Sequence, residues 1–479
     1  MTYPKLSLLI DGEWIESGRP TRTVRNPATG DVLGDLPMAS KEDIGRAIDA
    51  ADRAFAQWKR VSPLERARVL ARISSAIRTG AEVLASVLTM EQGKTLREAR
   101  AEIEATADTF EWMAEEGKRV YGRIVSPRLA GVEQLVLYEP VGPVGAFSPW
   151  NYPAVLAARK VATALAAGCT VVLKPAEETP GILVAIAKLC LEVGLPNGVF
   201  NVVFGDPAQI SEHLISSPKI RKITFTGSVP VGRHLSALAG AAMKKITLEL
   251  GGHSAVIVDR DVDVTRFVEL AAAAKFRNAG QICHAPTRFF VHNEVYDDVV
   301  RQFSDRAAGL RLGNGLIPET QMGPLLNERR MAAMRDMTAD AVGKGAKVVT
   351  GGSAAEVHPG GHFWRPTVIA EADGDMEAMR SEVFGPIALF SRFNTVGEAI
   401  DAANRVELGL GSYAFTDSVK TMHEIQERIE AGFVSFNAFS SPPPEMPFAG
   451  IKDSGLGCEM GMEGLLEHFN VKSVLRSAT

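Results

Sequence analysis

From Val144 onward, short apolar runs rich in valine and isoleucine alternate with longer amphipathic stretches. VGAF (144–147) leads into YPAVLAARKVATALAAG, CTVVLKP into PGILVAIAKLCLEVG, VFNVVFG into DPAQISEHLISS, and KITFTG into SVPVGRHLSALAG. Apolar runs without polar alternation suit strands covered on both faces, and the segments between them have the length of crossover helices. The pattern predicts a doubly wound parallel sheet of the dinucleotide-binding kind. A second alternating series follows: KKITLEL, SAVIVD, an alanine-rich helix through Phe276, RFFVHN, a helix from Glu294, PTVIAEA, a helix over Val396 to Val406, and GSYAFT. It predicts a second α/β unit. Before both, Ser40 to Glu116 reads as amphipathic helix after the turn-rich NPATGDVLG. Near the end, SSPPPEMPFAGIKDSGLG breaks the pattern as a loop.

Composition narrows the function classes. At 479 residues with 46% hydrophobic content, the chain can build more than one core. A formal net charge of -5 offers no basic field for nucleic acid or an anionic membrane, so the expected partners are small molecules and further copies of the chain. No apolar stretch approaches the ~20 residues of a spanning helix, and MTYPKLSLLIDGEW lacks the basic flank and apolar core of a leader, so a cytoplasmic protein is expected. Four widely spaced cysteines argue against a disulfide framework, and without CxxC or HExxH no metal site is expected.

Several short stretches could carry chemistry. KFRNAGQICHAPTR places Cys283 beside His284 in the second unit, where a cysteine is either a small core residue or a nucleophile. PWN sets Asn151 just beyond the first strand of the first sheet, at the carboxyl end where ligands bind in open α/β folds. Its amide could face a developing oxyanion or simply cap a turn. LELGG puts Glu249 at a strand end, as a polar-face residue or a general base with a raised pKa. Thr226-Gly227-Ser228 stands at a strand-to-helix junction, where helix amides and a hydroxyl can receive a phosphate, although Ser228 would also serve as an ordinary N-cap. The following GSVPVGR lacks the Lys-Ser or Lys-Thr of a P-loop, which excludes a standard P-loop ATPase. EVFGP, Glu382 to Pro386, reads alone as a loop.

Taken together and in order, PWN, KPAEETP, FTGS, LELGG, GQIC, EVFGP and PFAGIKDSG resemble the aldehyde dehydrogenase superfamily over nearly the whole chain, from NPATG to the tail after Cys458. The resemblance implies a three-part subunit. Its dinucleotide-binding domain would span 1–118 and 141–250, its catalytic domain 251–445, and a small bridging oligomerisation element 119–140 and 446–479. That element would be a hairpin near Tyr121 to Glu139 plus NVKSVLRS, pairing with a partner copy in a homodimer or homotetramer. The resemblance also implies Cys283 as nucleophile, Glu249 as the base for the deacylating water, and Asn151 as an oxyanion donor with the backbone N–H of Cys283. Pro149, Trp150, Lys174, Glu177, Gly205, Gly227, Ser228, Leu250, Glu382 and Phe384 would line the site of NAD, with NADP as the alternative. His284 inherits no role. The chain departs from the family pattern with Cys458 where arginine is common before the glutamate, and with PFAG in place of PFGG.

Two finer expectations follow. Glu177 would stand at the adenosine ribose, where a carboxylate accepts a bond from the 2'-hydroxyl and repels a 2'-phosphate, so NAD is preferred. NYPAVLAARK and KFRNAGQIC resemble succinate semialdehyde dehydrogenases, whose arginines at the positions of Arg159 and Arg277 grip the substrate carboxylate; Ser441 joins them. Succinate semialdehyde is therefore the first expected substrate and 2-oxoglutarate semialdehyde the second, with neutral aldehydes as the remaining alternative. Ala285, two residues after the nucleophile, leaves no second cysteine there for a disulfide switch. A rival of another class is a cysteine hydrolase that cleaves esters without redox chemistry.

Overall fold

The computed structural model describes residues 3–477. Five strands form the parallel centre of the first sheet, in the spatial order Phe200–Val202, Val171–Pro175, Val144–Ser148, Lys222–Thr226 and Lys245–Glu249. Four of these are buried along their whole length and the fifth at its Glu249 end, which is why they read as unbroken apolar runs. The crossover helices Pro153–Ala167, Pro180–Glu192, Pro207–Ser216 and Val229–Ala241 each carry proline in the first turn, where its missing N–H costs nothing.

Two antiparallel additions complete this sheet. On one edge lies the hairpin Leu8–Ile10 and Glu13–Ile15; on the other, the short strand Gly455–Leu456 pairs with Lys245–Glu249, bringing the chain's tail beside Glu249. The hairpin is absent from the periodicity reading because its strands have three residues each. Its signal is the Asp11-Gly12 turn, with φ of 55° and 80°, the left-handed pair that a two-residue hairpin demands.

The second sheet runs Lys347–Thr350, Thr367–Ala370, Ile387–Phe393, Arg288–His292, Ala255–Val258, Gly411–Phe415 and Phe433–Phe436, parallel except for its first pair. Each sheet has its own apolar core. The amphipathic stretch before the first sheet resolves into Lys41–Trp58, Pro63–Thr79, Ala81–Gln92 and Leu96–Glu116. Ser40, Ser62 and Thr95 open three of these helices with reciprocal capping boxes, which set the breaks that periodicity alone leaves open.

A third sheet stands apart: Phe469–Ser477 pairs along its length with Val132–Pro140, which also pairs with Arg123–Val125. Several of its apolar side chains face solvent, with Ile124 at 81%, Val471 at 64% and Leu475 at 69% exposure. Among the described residues no helix is long and apolar enough to cross a membrane. The fold is therefore α/β, with a doubly wound dinucleotide-binding sheet, a second α/β unit and a small bridging sheet.

Candidate active site

Cys283 lies where the second unit meets the first. The helix Val264–Phe276 ends in a tight turn over Arg277–Gly280, in which Asn278 and Ala279 both take φ near +50°. Such backbone is costly for residues with a Cβ and persists only where its surroundings hold it. Here the hold is visible. Asn278 N–H donates to Glu98 Oε1 at 2.9 Å, the Asn278 amide donates to the Asn151 carbonyl at 3.1 Å, and Gln281 Oε1 accepts from Leu326 N–H at 3.0 Å. The loop leading to Cys283 is thus tied to a helix of the first unit and to the loop carrying Asn151.

Asn151 is itself buried, and its Nδ2 donates to the Gln281 carbonyl at 3.1 Å, two residues before Cys283. An amide nitrogen has two hydrogens, so one remains for an oxyanion. Behind Asn151 is a support that motif reading missed. Lys94 Nζ donates to the Asn151 carbonyl at 2.8 Å and to Glu102 Oε2 at 2.5 Å, while Glu102 Oε1 accepts Ala154 N–H at 2.9 Å. Both Lys94 and Glu102 are buried, a placement charged residues keep only when paired. The available signal was the lysine of EQGKT, directly ahead of the Thr95 cap.

Glu249 ends its strand beside Thr226 and is sealed from solvent, and neither carboxylate oxygen has a hydrogen-bond partner. Burial foremost, and then the neighbouring Glu459, push its carboxyl up to about 8. Burial also raises the Cys283 thiol well above its ordinary value, with Glu249 and Glu382 adding to the rise and Arg159 opposing it. Cys283 and Glu249 therefore sit within electrostatic reach of each other, and burial favours the neutral form of each.

Two glycines make this convergence possible. A Cβ at Gly252 would lie 2.4 Å from the Cys283 carbonyl oxygen, and one at Gly251 would lie 2.5 Å from Glu382 Oε2. The GG of LELGG is thus required by close approach on both sides. Leu250 N–H donates to Ser454 O at 2.9 Å and Ser454 Oγ donates to Gly251 O at 2.7 Å, so the tail fastens the same loop. A buried pair next to Glu249 also escaped the motif reading: Lys160 Nζ donates to Thr226 Oγ1 at 2.7 Å and contacts the Glu459 carboxylate.

Around the carboxyl ends of the first sheet lie the residues expected to hold a dinucleotide. Ser228 is the N-cap of Val229–Ala241, but its side chain makes no capping bond, which leaves the exposed hydroxyl and the first helix amides available to a phosphate. The neighbouring Gly227 donates its N–H to the Glu249 carbonyl at 3.1 Å, joining this helix start to Glu249. Lys174 and Glu177 form a buried ion pair at 2.7 Å, and Gly205 N–H donates to Glu177 Oε1 at 3.3 Å. Glu382, pushed up to about 7 by burial, accepts from Gly252 N–H at 3.3 Å. Trp150, next to Pro149, packs edge-on against Phe384 with centroids 5.4 Å apart, and Phe384 has φ +47° while Arg330 grips its carbonyl at 3.0 Å. Of these groups, the uncapped Ser228 hydroxyl and the helix amides behind it suit a phosphate of a dinucleotide.

Arg159 and Arg277 are brought to the Cys283 region, as their electrostatic effects on neighbours there show. Arg159 moderates the rise of the thiol, and both arginines depress His284. Arg159 lies against the Phe448 ring at 4.7 Å, with its Nε buried and unpartnered. Arg277 is exposed, with Tyr152 and Tyr413 as electrostatic neighbours. Ser441 stands half-buried in the loop after Phe433–Phe436, and no hydrogen bond among the described residues joins it to the two arginines or to Cys283.

Comparison with known proteins settles the class. The profile described as "Aldehyde dehydrogenase family" matches residues 14–474. The chain belongs to the aldehyde dehydrogenase family. It is 47% identical to the 4-(hydroxymethyl)benzenesulfonate dehydrogenase of Comamonas testosteroni, with 97% of each chain covered. It is 40% identical to the NADP(+) succinate-semialdehyde dehydrogenase of Escherichia coli (strain K12), with 97% of this chain and 96% of that protein covered. The crystal structure of succinate-semialdehyde dehydrogenase from Burkholderia pseudomallei superposes with a TM-score of 0.95 at 40% identity, covering 99% of this chain and 98% of that one. The protein is thus an aldehyde dehydrogenase, of a family that uses NAD or NADP to oxidise aldehydes.

Proposed function

We propose that this aldehyde dehydrogenase acts in the cytoplasm on an aldehyde with an anionic group at its far end, succinate semialdehyde first and 2-oxoglutarate semialdehyde second, with NAD preferred. The observation that carries the reading is the pair Arg159 and Arg277 near Cys283: among the described residues no salt bridge joins either to a carboxylate, and their acidic neighbours, Glu249 for Arg159 and Glu98 for Arg277, act only electrostatically. A guanidinium lacking its own carboxylate beside a substrate site suits an incoming one, through paired charge-assisted hydrogen bonds. The relatives named for succinate semialdehyde and for a benzenesulfonate fit that requirement, since both names imply an anion remote from the reacting carbon.

The site residues then divide the work. Cys283 Sγ, deprotonated with help from Glu249, attacks the aldehyde carbon, and the free Asn151 amide hydrogen with the Cys283 backbone N–H stabilises the oxyanion. The nicotinamide cofactor, when bound, takes up the hydride. Glu249 next accepts a proton from the water that releases the acid from the Cys283 thioester. Lys94 and Glu102 hold Asn151 in place, and Ser228, Lys174, Glu177, Gly205 and Glu382 with Trp150 and Phe384 serve the cofactor. The exposed apolar side chains of the third sheet support a homodimer or homotetramer, because a surface of this kind calls for a partner.

The substrate reading is tested with Arg159→Ala and Arg277→Ala. Each raises KM for succinate semialdehyde at least about tenfold while sparing butanal, because binding of the remote carboxylate is lost from ground state and transition state alike. Equal losses on both aldehydes, or a wild type that prefers butanal, refute it.

Cofactor choice has its own test. Lys174 is neutralised by Glu177 at 2.7 Å, so a 2'-phosphate meets a carboxylate where it needs a free cation. Wild type gives a higher kcat/KM with NAD, and Glu177→Ser, which frees Lys174, moves the ratio toward NADP by about tenfold or more. Equal or better efficiency of the wild type with NADP overturns the reading.

A further inference from the structure

His284 follows the nucleophile and has no part in the mechanism above, yet it is held as firmly as the groups that do. Tyr413, from the strand Gly411–Phe415, donates its hydroxyl proton to the His284 carbonyl at 2.9 Å, and the same oxygen lies 3.0 Å from His284 Nδ1. A phenol has one proton. With that proton given to the carbonyl, which can only accept, the second contact is satisfied when Nδ1 carries a hydrogen and the tyrosine oxygen receives it. The neutral tautomer left by this arrangement has its lone pair on Nε2.

The surroundings keep the ring neutral and set it beside Phe448 and the Arg159 that lies on that ring. Burial, with Arg277 and Arg159 adding to it, pushes the imidazolium down to about 3. The ring packs edge-on against Phe433 at 5.9 Å and Phe448 at 6.1 Å, and Phe448 carries Arg159 on its face. Nε2 makes no hydrogen bond among the described residues, yet it is not among the sealed polar atoms, so it opens into accessible space. Guanidinium groups only donate hydrogen bonds, so neither Arg159 nor Arg277 can receive one from a substrate hydroxyl.

We propose that His284 is a specificity-determining residue whose Nε2 accepts a hydrogen bond from a hydroxyl on the α-carbon of the aldehyde, with Tyr413 as the positioning residue that fixes its tautomer. His284 follows Cys283 directly in the chain, so with its ring turned to the same site the carbon nearest the reacting one is within its reach, which is why the α-position is proposed. Combined with the two arginines the preferred class is an α-hydroxy aldehyde with an anionic far end, which refines the substrate order above by placing the 3-hydroxy derivative ahead of succinate semialdehyde itself, and in its anionic part the inference rests on the proposed function. An acceptor left unpaired by a plain aliphatic chain discriminates against it, as polar sites do against analogues lacking the matching group.

Two substrate pairs separate the hydroxyl from the anion: 3-hydroxy-4-oxobutanoate against succinate semialdehyde, and lactaldehyde against propanal. In wild type the hydroxy member of each pair has a kcat/KM at least about tenfold higher. His284→Leu brings both ratios to within about threefold of unity, Tyr413→Phe lowers them partway, and His284→Gln, which keeps an acceptor, retains most of the preference. The ratio is the readout, so a general loss of activity in a variant does not imitate the result. Wild-type ratios near unity, or ratios unchanged in His284→Leu, overturn the inference. A hydroxyl preference in both pairs without any advantage of the acids over the neutral aldehydes sustains the His284 role and refutes the anionic reading instead.

Discussion

Replacing Cys283 with alanine abolishes aldehyde-dependent NADH formation, lowering kcat by at least about 10^4-fold, the order expected when the nucleophile of a covalent mechanism is removed. The sulfur is needed twice: it forms the tetrahedral adduct from which hydride departs, and it holds the acyl group until water arrives. Neither Glu249 nor Asn151 can substitute. Glu249 accepts protons, from the thiol and then from water, and the Asn151 amide stabilises charge that forms only after attack. Alanine is also a mild change for the fold, since Cys283 is half-buried and its backbone, against which Gly252 packs, remains. NADH binding followed by fluorescence should therefore be unaltered in the variant. Turnover within tenfold of wild type removes Cys283 from the mechanism, and retained ester cleavage without NADH formation in the wild type favours a hydrolase.

Much of this arrangement was legible in the sequence, for identifiable reasons. Strands buried on both faces leave long apolar runs, so the central strands of both sheets and their crossover helices were readable from pattern. Motifs carried the family, because a nucleophile, a base and an oxyanion donor each need a particular residue type at a strand or helix end. What periodicity could not supply were short strands such as Leu8–Ile10 and Gly455–Leu456, which are too brief to show a period. It also could not find Lys94, Glu102, Lys160 and Glu459. In sequence these are ordinary charged residues in helical or loop stretches, and only the tertiary fold buries them, pairing Lys94 with Glu102, eight residues on, and Lys160 with Glu459, 299 residues away. His284 belongs to the same group. Its neutral tautomer is set by a tyrosine 129 positions away, and no local pattern contains that information.

Glu249→Gln is the sharper test of how the reaction ends. The variant releases about one NADH per active site, more slowly than the wild type because Glu249 also helps deprotonate Cys283, and steady-state turnover then falls by about 10^2- to 10^4-fold, the range for loss of a positioned general base. The amide is nearly the same size as the carboxyl and enters a site where the native oxygens have no hydrogen bonds to lose, so the fold is spared. Acid quenching after that release and mass measurement of the Cys283 peptide should find the acyl group still attached. The pH dependence supplies an independent sign. Only the carboxylate accepts a proton from water, and burial holds the Glu249 carboxyl at about 8, so below that pH most of the base is protonated and idle. The deacylation rate of the wild type therefore climbs as pH rises from 6, nearly tenfold per unit at first, and levels off above about 8. In Glu249→Gln that climb disappears, since no group titrates at the position. Steady-state turnover like the wild type's, or a deacylation rate flat from pH 6 to 9, would show that another group removes the proton.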